Sequence, residues 1–297
     1  MVFFVGIAAA LLLGLGYVLQ QRVAATLPLE ELLTLRLLLD LVRRPRWWVG
    51  VGCMVVGELL AGLALNLAAV AIVEPLLSTN LLFALAFSAA LARQRIRWQE
   101  ATGAIMLSAA LGVFIAVGNP HSSPAPATSG IVIAVAVCTV VGVVALLVIV
   151  GKQRGLVGES VLLATGAGLL YGLQDAATRA ALVVADHRGI AVMFINPWIY
   201  VVIGAAVIGI LLSQSAFKAA RLDYSLPPIA AAEPLAGIFL GVSLLGDVVS
   251  LSVPGLVVES ICLVAMVGGV ALIGRSSNLA AATGAVNPAP AEPADSP

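Results

Sequence analysis

The sequence predicts an all-α polytopic membrane protein of about nine transmembrane helices in two inverted repeats, and three observations carry that reading. The 297-residue chain is 61% hydrophobic and 10% charged, whereas a soluble domain carries about 25% charged residues. Apolar runs follow one another with short breaks, each close to the ~20 residues that cross ~30 Å of hydrocarbon. Lys and Arg are placed unevenly between these runs, as a membrane topology requires. Hydrocarbon offers the backbone no hydrogen-bond partners, so only helix bundles or closed barrels span it. The runs are rich in Leu, Ala, Val and Gly and lack the ~10-residue alternating segments of barrel strands.

Spans are expected at 2–22, 47–70, 73–93, 99–118, 131–151, 160–183, 197–216, 225–246 and 254–274. Met1 to Leu13 has neither a basic leader nor a small-residue cleavage site, so the first run reads as a retained helix rather than a signal peptide. A tenth candidate, 24–42, holds Glu30, Glu31, Arg36 and Asp40. A charge at mid-membrane costs about 2.5–3.5 kcal/mol on insertion scales, so 24–46 reads as an interfacial amphipathic segment. With nine spans, thirteen of the fifteen Lys and Arg, from Arg22 to Arg275, fall on one side, and Arg179 and Arg188 fall on the other. The positive-inside rule then places the C-terminus in the cytoplasm of a bacterial cell, with the chain crossing the inner membrane many times.

The repeat is visible in the residues. Gly14-Leu-Gly-Tyr17-Val-Leu-Gln20-Gln21 matches Gly168-Leu-Leu-Tyr171-Gly-Leu-Gln174-Asp175 at an offset of 154. Pro45 before Trp47 matches Pro197 before Trp198 at an offset of 152, and Pro75 falls near Pro227 and Pro228. The chain divides into a first transmembrane repeat at 1–118, an external Pro-rich linker at 119–130, a central span at 131–151, a second repeat at 160–274 and a disordered cytoplasmic tail at 275–297. Under the nine-span count the paired spans run in opposite directions, the architecture of many secondary transporters.

The stretch from Trp47 to Gly118 resembles one half of the drug/metabolite transporter superfamily, EamA-like or NIPA-like branch. An apolar helix leads to Pro75-Leu76. A small-residue helix follows, then a charged turn (Arg93-Gln-Arg-Ile-Arg97), then a Gly-punctuated helix. The second half has the same order and closes with Leu244-Leu245-Gly246-Asp247. Gly57-Glu58 followed by Pro75-Leu76 is similar in spacing to the NIPA magnesium-transporter branch. Ala61 and Glu74 depart from that pattern, which carries Asn and a small polar residue there. The resemblance implies transport of a small metabolite, drug-like compound or cation, with an Mg2+ transporter as the alternative.

Ionisable groups inside spans are costly and mark sites by default. Glu58 lies halfway along 47–70, Asp175 shares a helical face with Tyr171, Gln174 and Thr178, and Glu233 precedes Pro234. These three acids are the candidate sites for a substrate or coupling ion, and under the transporter reading they are expected to line one central cavity and bind a proton or cation. Tyr17, Gln20, Gln21 and Asn66 could add uncharged contacts, although polar residues between membrane helices also serve as glue. Arg179, one turn from Asp175, could pair with it. Glu259 lies near the end of the last span.

No Gly-x4-Gly-Lys-Ser/Thr loop is present, so the sequence has no ATP drive of its own. His121 and His187 are expected in loops. No His/Cys metal cluster, nucleophile elbow or cofactor motif occurs. Cys53, Cys138 and Cys262 sit in separate apolar runs as packing residues. The reading is therefore a non-enzymatic secondary transporter without cofactor or metal. Its partners are the bilayer and a small solute, not nucleic acid, and the sequence is compatible with a homodimer. The rival classes are a non-transporting accessory protein of a cell-envelope complex and an intramembrane enzyme or lipid scramblase.

Overall fold

The computed structural model describes residues 1–28, 30, 32–67, 73, 76–93, 96–118, 130–245 and 253–282. Every element among them is a helix: α1 (Val2–Ala24), α2 (Leu35–Val42), α3 (Pro45–Leu67), α4 (Asn80–Ala92), α5 (Trp98–Gly118), α6 (Gly130–Gly151), α7 (Leu156–Arg188), α8 (Ile190–Ile195), α9 (Pro197–Ala219), α10 (Leu222–Leu245) and α11 (Val253–Ala282). Seven of them are long and apolar enough to cross a membrane, namely α1, α3, α5, α6, α7, α9 and α10. Asn80–Ala92 and Val257–Ile273 are shorter apolar stretches.

Local chemistry sets the helix ends. Asn196 caps α9 by accepting the Trp198 N–H at 3.1 Å, with Pro197 in the first turn where no backbone donor is needed. The charged turn before α5 is closed by Glu100, whose carboxylate accepts the Arg97 N–H at 3.2 Å, as in half of a capping box. At ~1.5 Å per residue α7 reaches about 50 Å, well beyond the hydrocarbon thickness. His187, expected in a loop, is in its last turn. The last helix continues to Ala282, past the boundary at 274 where a disordered tail was expected. Most of the linker at 119–130, the Glu74-Pro75 step, Gly246-Asp247 and the chain beyond 282 lie outside the described residues.

The expected interfacial segment contains α2, which is too short to span. Leu37 and Leu41, one turn apart, are fully buried, while Leu35 and Leu39 are exposed. Asp40 pairs with Arg43 at 3.3 Å and Arg36 at 4.0 Å on the outer side. Leu33, just ahead of α2, takes a left-handed φ of 59°, which costs a branched residue about 1–2 kcal/mol. Its N–H donates to the buried Ser215 hydroxyl at 3.1 Å, tying the segment to α9.

Without a hydrophobic drive between helices in lipid, close packing relies on small residues. α1 packs against α3 and α4, and α7 packs against α9 and α10. α5 meets α11, and the two sets join where α1 meets α9 and α4 meets α10. A Cβ on Gly14 of α1 would lie 2.7 Å from the Asn80 carbonyl and 2.9 Å from the Ala84 nitrogen of α4. A Cβ on Gly168 of α7 would meet the Ile229 carbonyl at 2.8 Å and the Glu233 nitrogen at 3.1 Å on α10. Each contact is made with the carbonyl of one residue and the amide of the residue four further on. α6, central in sequence, is peripheral in space: it packs mainly along α7 and is almost unburied.

Candidate functional site

A cavity of about 390 Å³ lies between α1, α3, α4, α5, α7 and α10. Glu58 of α3, Asp175 of α7 and Glu233 of α10 line it together, with Tyr17 of α1 and Arg179 of α7. Glu58 and Asp175 act on one another electrostatically, and Tyr17 is within electrostatic range of all three acids and of Tyr171. Glu58 and Asp175 carry exposed surface, and Glu233 is partly buried. Three carboxylates and one guanidinium give the wall an excess of two negative charges when all are ionised.

The geometry around Glu233 follows from its neighbours. Gly168 and Gly172 on α7 let α10 approach so closely that a Cβ on Gly172 would be 2.5 Å from the Glu233 carbonyl. Pro234 has no N–H, so the carbonyl of Ala230, one turn earlier, has no helical donor. Ala230 and Pro234 both line the cavity. The freed carbonyl and the Glu233 carboxylate thus belong to residues of the same stretch of wall.

The remaining expected residues separate. Tyr17 is on the wall, its ring edge-on to Phe217 with centroids 6.3 Å apart. Tyr171 and Gln174 are off it, and the Tyr171 hydroxyl is 2.9 Å from the Ser213 hydroxyl on α9. Gln20 is also off the wall. Its amide donates to the Met54 sulfur at 2.9 Å, and its carbonyl accepts from Gln214 at 2.6 Å, joining α1, α3 and α9. Asn66 is in the last turn of α3, and its side chain lies outside the described residues. Glu259, on α11, is not among the cavity residues. The polar face predicted for α7 thus splits, with Asp175 and Arg179 on the cavity and Tyr171 on α9.

Sequence reasoning missed Ser78, Asn80 and Ser108, which line the cavity. The Ser78 hydroxyl donates to the Ser108 carbonyl at 3.1 Å, and the Ser108 hydroxyl donates to the Ser78 carbonyl at 2.7 Å. This reciprocal pair pins the chain ahead of α4 to α5. Single serines in apolar runs carry no pattern that announces it. Ser108→Ala is expected to destabilise the bundle by about 0.6–2 kcal/mol, the range for polar contacts between membrane helices. Reversible detergent unfolding of the purified variant measures the loss, and an unchanged midpoint would refute the pinning.

A bundle of apolar helices enclosing a carboxylate-lined cavity defines a polytopic helical membrane protein. The chain belongs to the same family as a protein of Corynebacterium glutamicum described as uncharacterized, with which it is 30% identical over 248 residues, 81% of this chain and 83% of that one. No family model matches the chain, and no solved structure matches it.

Proposed function

We propose that the protein is a secondary transporter of the drug/metabolite transporter type, moving a small solute across the bacterial inner membrane by alternating access. The observation that carries this reading is the meeting of Glu58, Asp175 and Glu233, from three helices, on one cavity wall. Carboxylates are retained at mid-membrane against a cost of several kcal/mol where they bind or relay charge. The matching contacts of Gly14 on α4 and Gly168 on α10 support a two-repeat architecture. The seven long helices together with the two shorter apolar stretches support nine spans. The arginine asymmetry supports a cytoplasmic C-terminus.

The surplus of acid favours protons and organic cations as cargo or coupling ion. Mg2+ is the less favoured alternative. It prefers near-octahedral oxygen ligation, and no three His, Cys, Asp or Glu among the described residues are grouped to hold a metal.

Proteoliposomes carrying a lumenal pH dye and, separately, an Mg2+ dye test the proposal. Under an imposed pH gradient and a mixed pool of organic cations and metabolites, substrate-dependent proton movement is expected. Mg2+ entry without proton movement would move the assignment to the magnesium branch. Absence of any flux by folded protein across the pool would overturn the reading in favour of an accessory role.

A further inference from the structure

A second cleft, of about 680 Å³, opens between α1, α3 and the last turn of α4, away from the carboxylate cavity. Arg22, in the last turn of α1, and Arg44 and Arg46, which flank Pro45 at the start of α3, stand around it. The rest of its lining is largely apolar: Leu19, Val23, Val49 and Leu91. All three arginines are exposed. No acidic residue lines the cleft among the described residues. Arg36, Arg43 and Arg221 make ion pairs elsewhere, with Asp40 and Asp223. The first turn of α3 also lacks an acidic residue, so its amides add their partial positive charge to the same place.

We propose that this cleft binds an anionic phospholipid, with the phosphate on Arg22, Arg44 and Arg46 and the start of an acyl chain along Leu19, Val23, Val49 and Leu91. The amphiphilic lining selects this occupant. A free phosphate has no use for four apolar side chains, and a zwitterionic lipid brings its own cation against the arginines. The level in the membrane agrees: Trp48 is exposed at the start of α3, in edge contact with the buried Trp47 at 5.2 Å, and exposed tryptophans concentrate in the headgroup zone. Basic pockets at helix ends are the places where membrane proteins hold acidic headgroups. The site is independent of the transport reading.

The test is native mass spectrometry of protein released from nanodiscs of equal phosphatidylglycerol and phosphatidylcholine. Wild type is expected to retain phosphatidylglycerol preferentially. An arginine near an anionic surface is worth about 1 kcal/mol, or roughly fivefold. The triple variant Arg22→Gln, Arg44→Gln, Arg46→Gln should therefore lose about a hundredfold in relative retention. The triple lysine variant keeps the charge and should retain most of the preference. Leu91→Trp, which fills the apolar part without touching a charge, should also expel the lipid. Equal retention of both lipids by wild type, or undiminished phosphatidylglycerol on the folded glutamine or tryptophan variants, overturns the proposal. So does displacement of phosphatidylglycerol by millimolar inorganic phosphate, which would assign the arginines to a soluble anion.

Discussion

Glu233→Gln is expected to abolish substrate-dependent proton movement in proteoliposomes while leaving the bundle folded. The substitution removes the charge and keeps the volume, so packing of α10 on Gly168 and Gly172 is undisturbed. Glu58→Gln and Asp175→Asn are expected to act in the same direction, because all three acids stand on one wall and act through the same space. A loss of tenfold or more is expected for each, since tenfold corresponds to only about 1.4 kcal/mol, less than the ~2.5–3.5 kcal/mol it costs to keep a charge at mid-membrane. Arg179→Gln removes the cation that lines the cavity with these acids. It should tighten the apparent affinity for a monovalent organic cation. Wild-type coupling in all three acid variants would exclude the cavity carboxylates as the coupling groups.

Gly172→Leu is expected to prevent assembly of the second half of the bundle, and Gly172→Ala to weaken it by about 1–3 kcal/mol or more, as overpacking does. A Cβ at 172 would lie 2.5 Å from the Glu233 carbonyl, 2.6 Å from the Ala236 Cβ and 2.6 Å from the Gly237 nitrogen. Two of these neighbours are backbone, so α10 itself must move, carrying Glu233 with it. Gly142→Ala on the peripheral α6, where an added Cβ meets nothing within 4 Å, serves as the neutral control. Detergent unfolding of the three variants measures the effect, and equal stability of Gly172→Ala and Gly142→Ala would show that the crossing tolerates separation.

How much of the site was legible depended on the kind of residue. The three acids stood out because a carboxylate in an apolar run is costly wherever the helix turns. Their convergence on one cavity was expected from the transporter reading alone, because Glu58, Asp175 and Glu233 lie on helices whose mutual rotation no local pattern fixes. Tyr171 shows the limit in the other direction. It shares a helical face with Asp175 by spacing, yet α9 approaches closely enough for Ser213 to hold its hydroxyl. Gln20, a candidate for either binding or helix glue, bridges α1 to Met54 and Gln214. The partner 194 residues away could not be read from its neighbours.

The sequence by itself determined that the chain is a bundle of membrane helices and where most of them run. Hydrocarbon requires each crossing segment to be long, apolar and internally hydrogen-bonded, and composition records that segment by segment. It also favoured an interfacial over a spanning reading of 24–42, through the density of Glu, Arg and Asp there. Only the tertiary structure decided which helix faces meet: the splitting of the α7 polar face, the reciprocal serines at 78 and 108, the arginine cleft at Arg22, Arg44 and Arg46, and the peripheral place of α6. In a chain apolar on nearly every helical face, hydropathy does not distinguish a lipid-facing side from a packed one. The choice falls to the steric fit of glycines and a few polar contacts, which exists only once the helices are together.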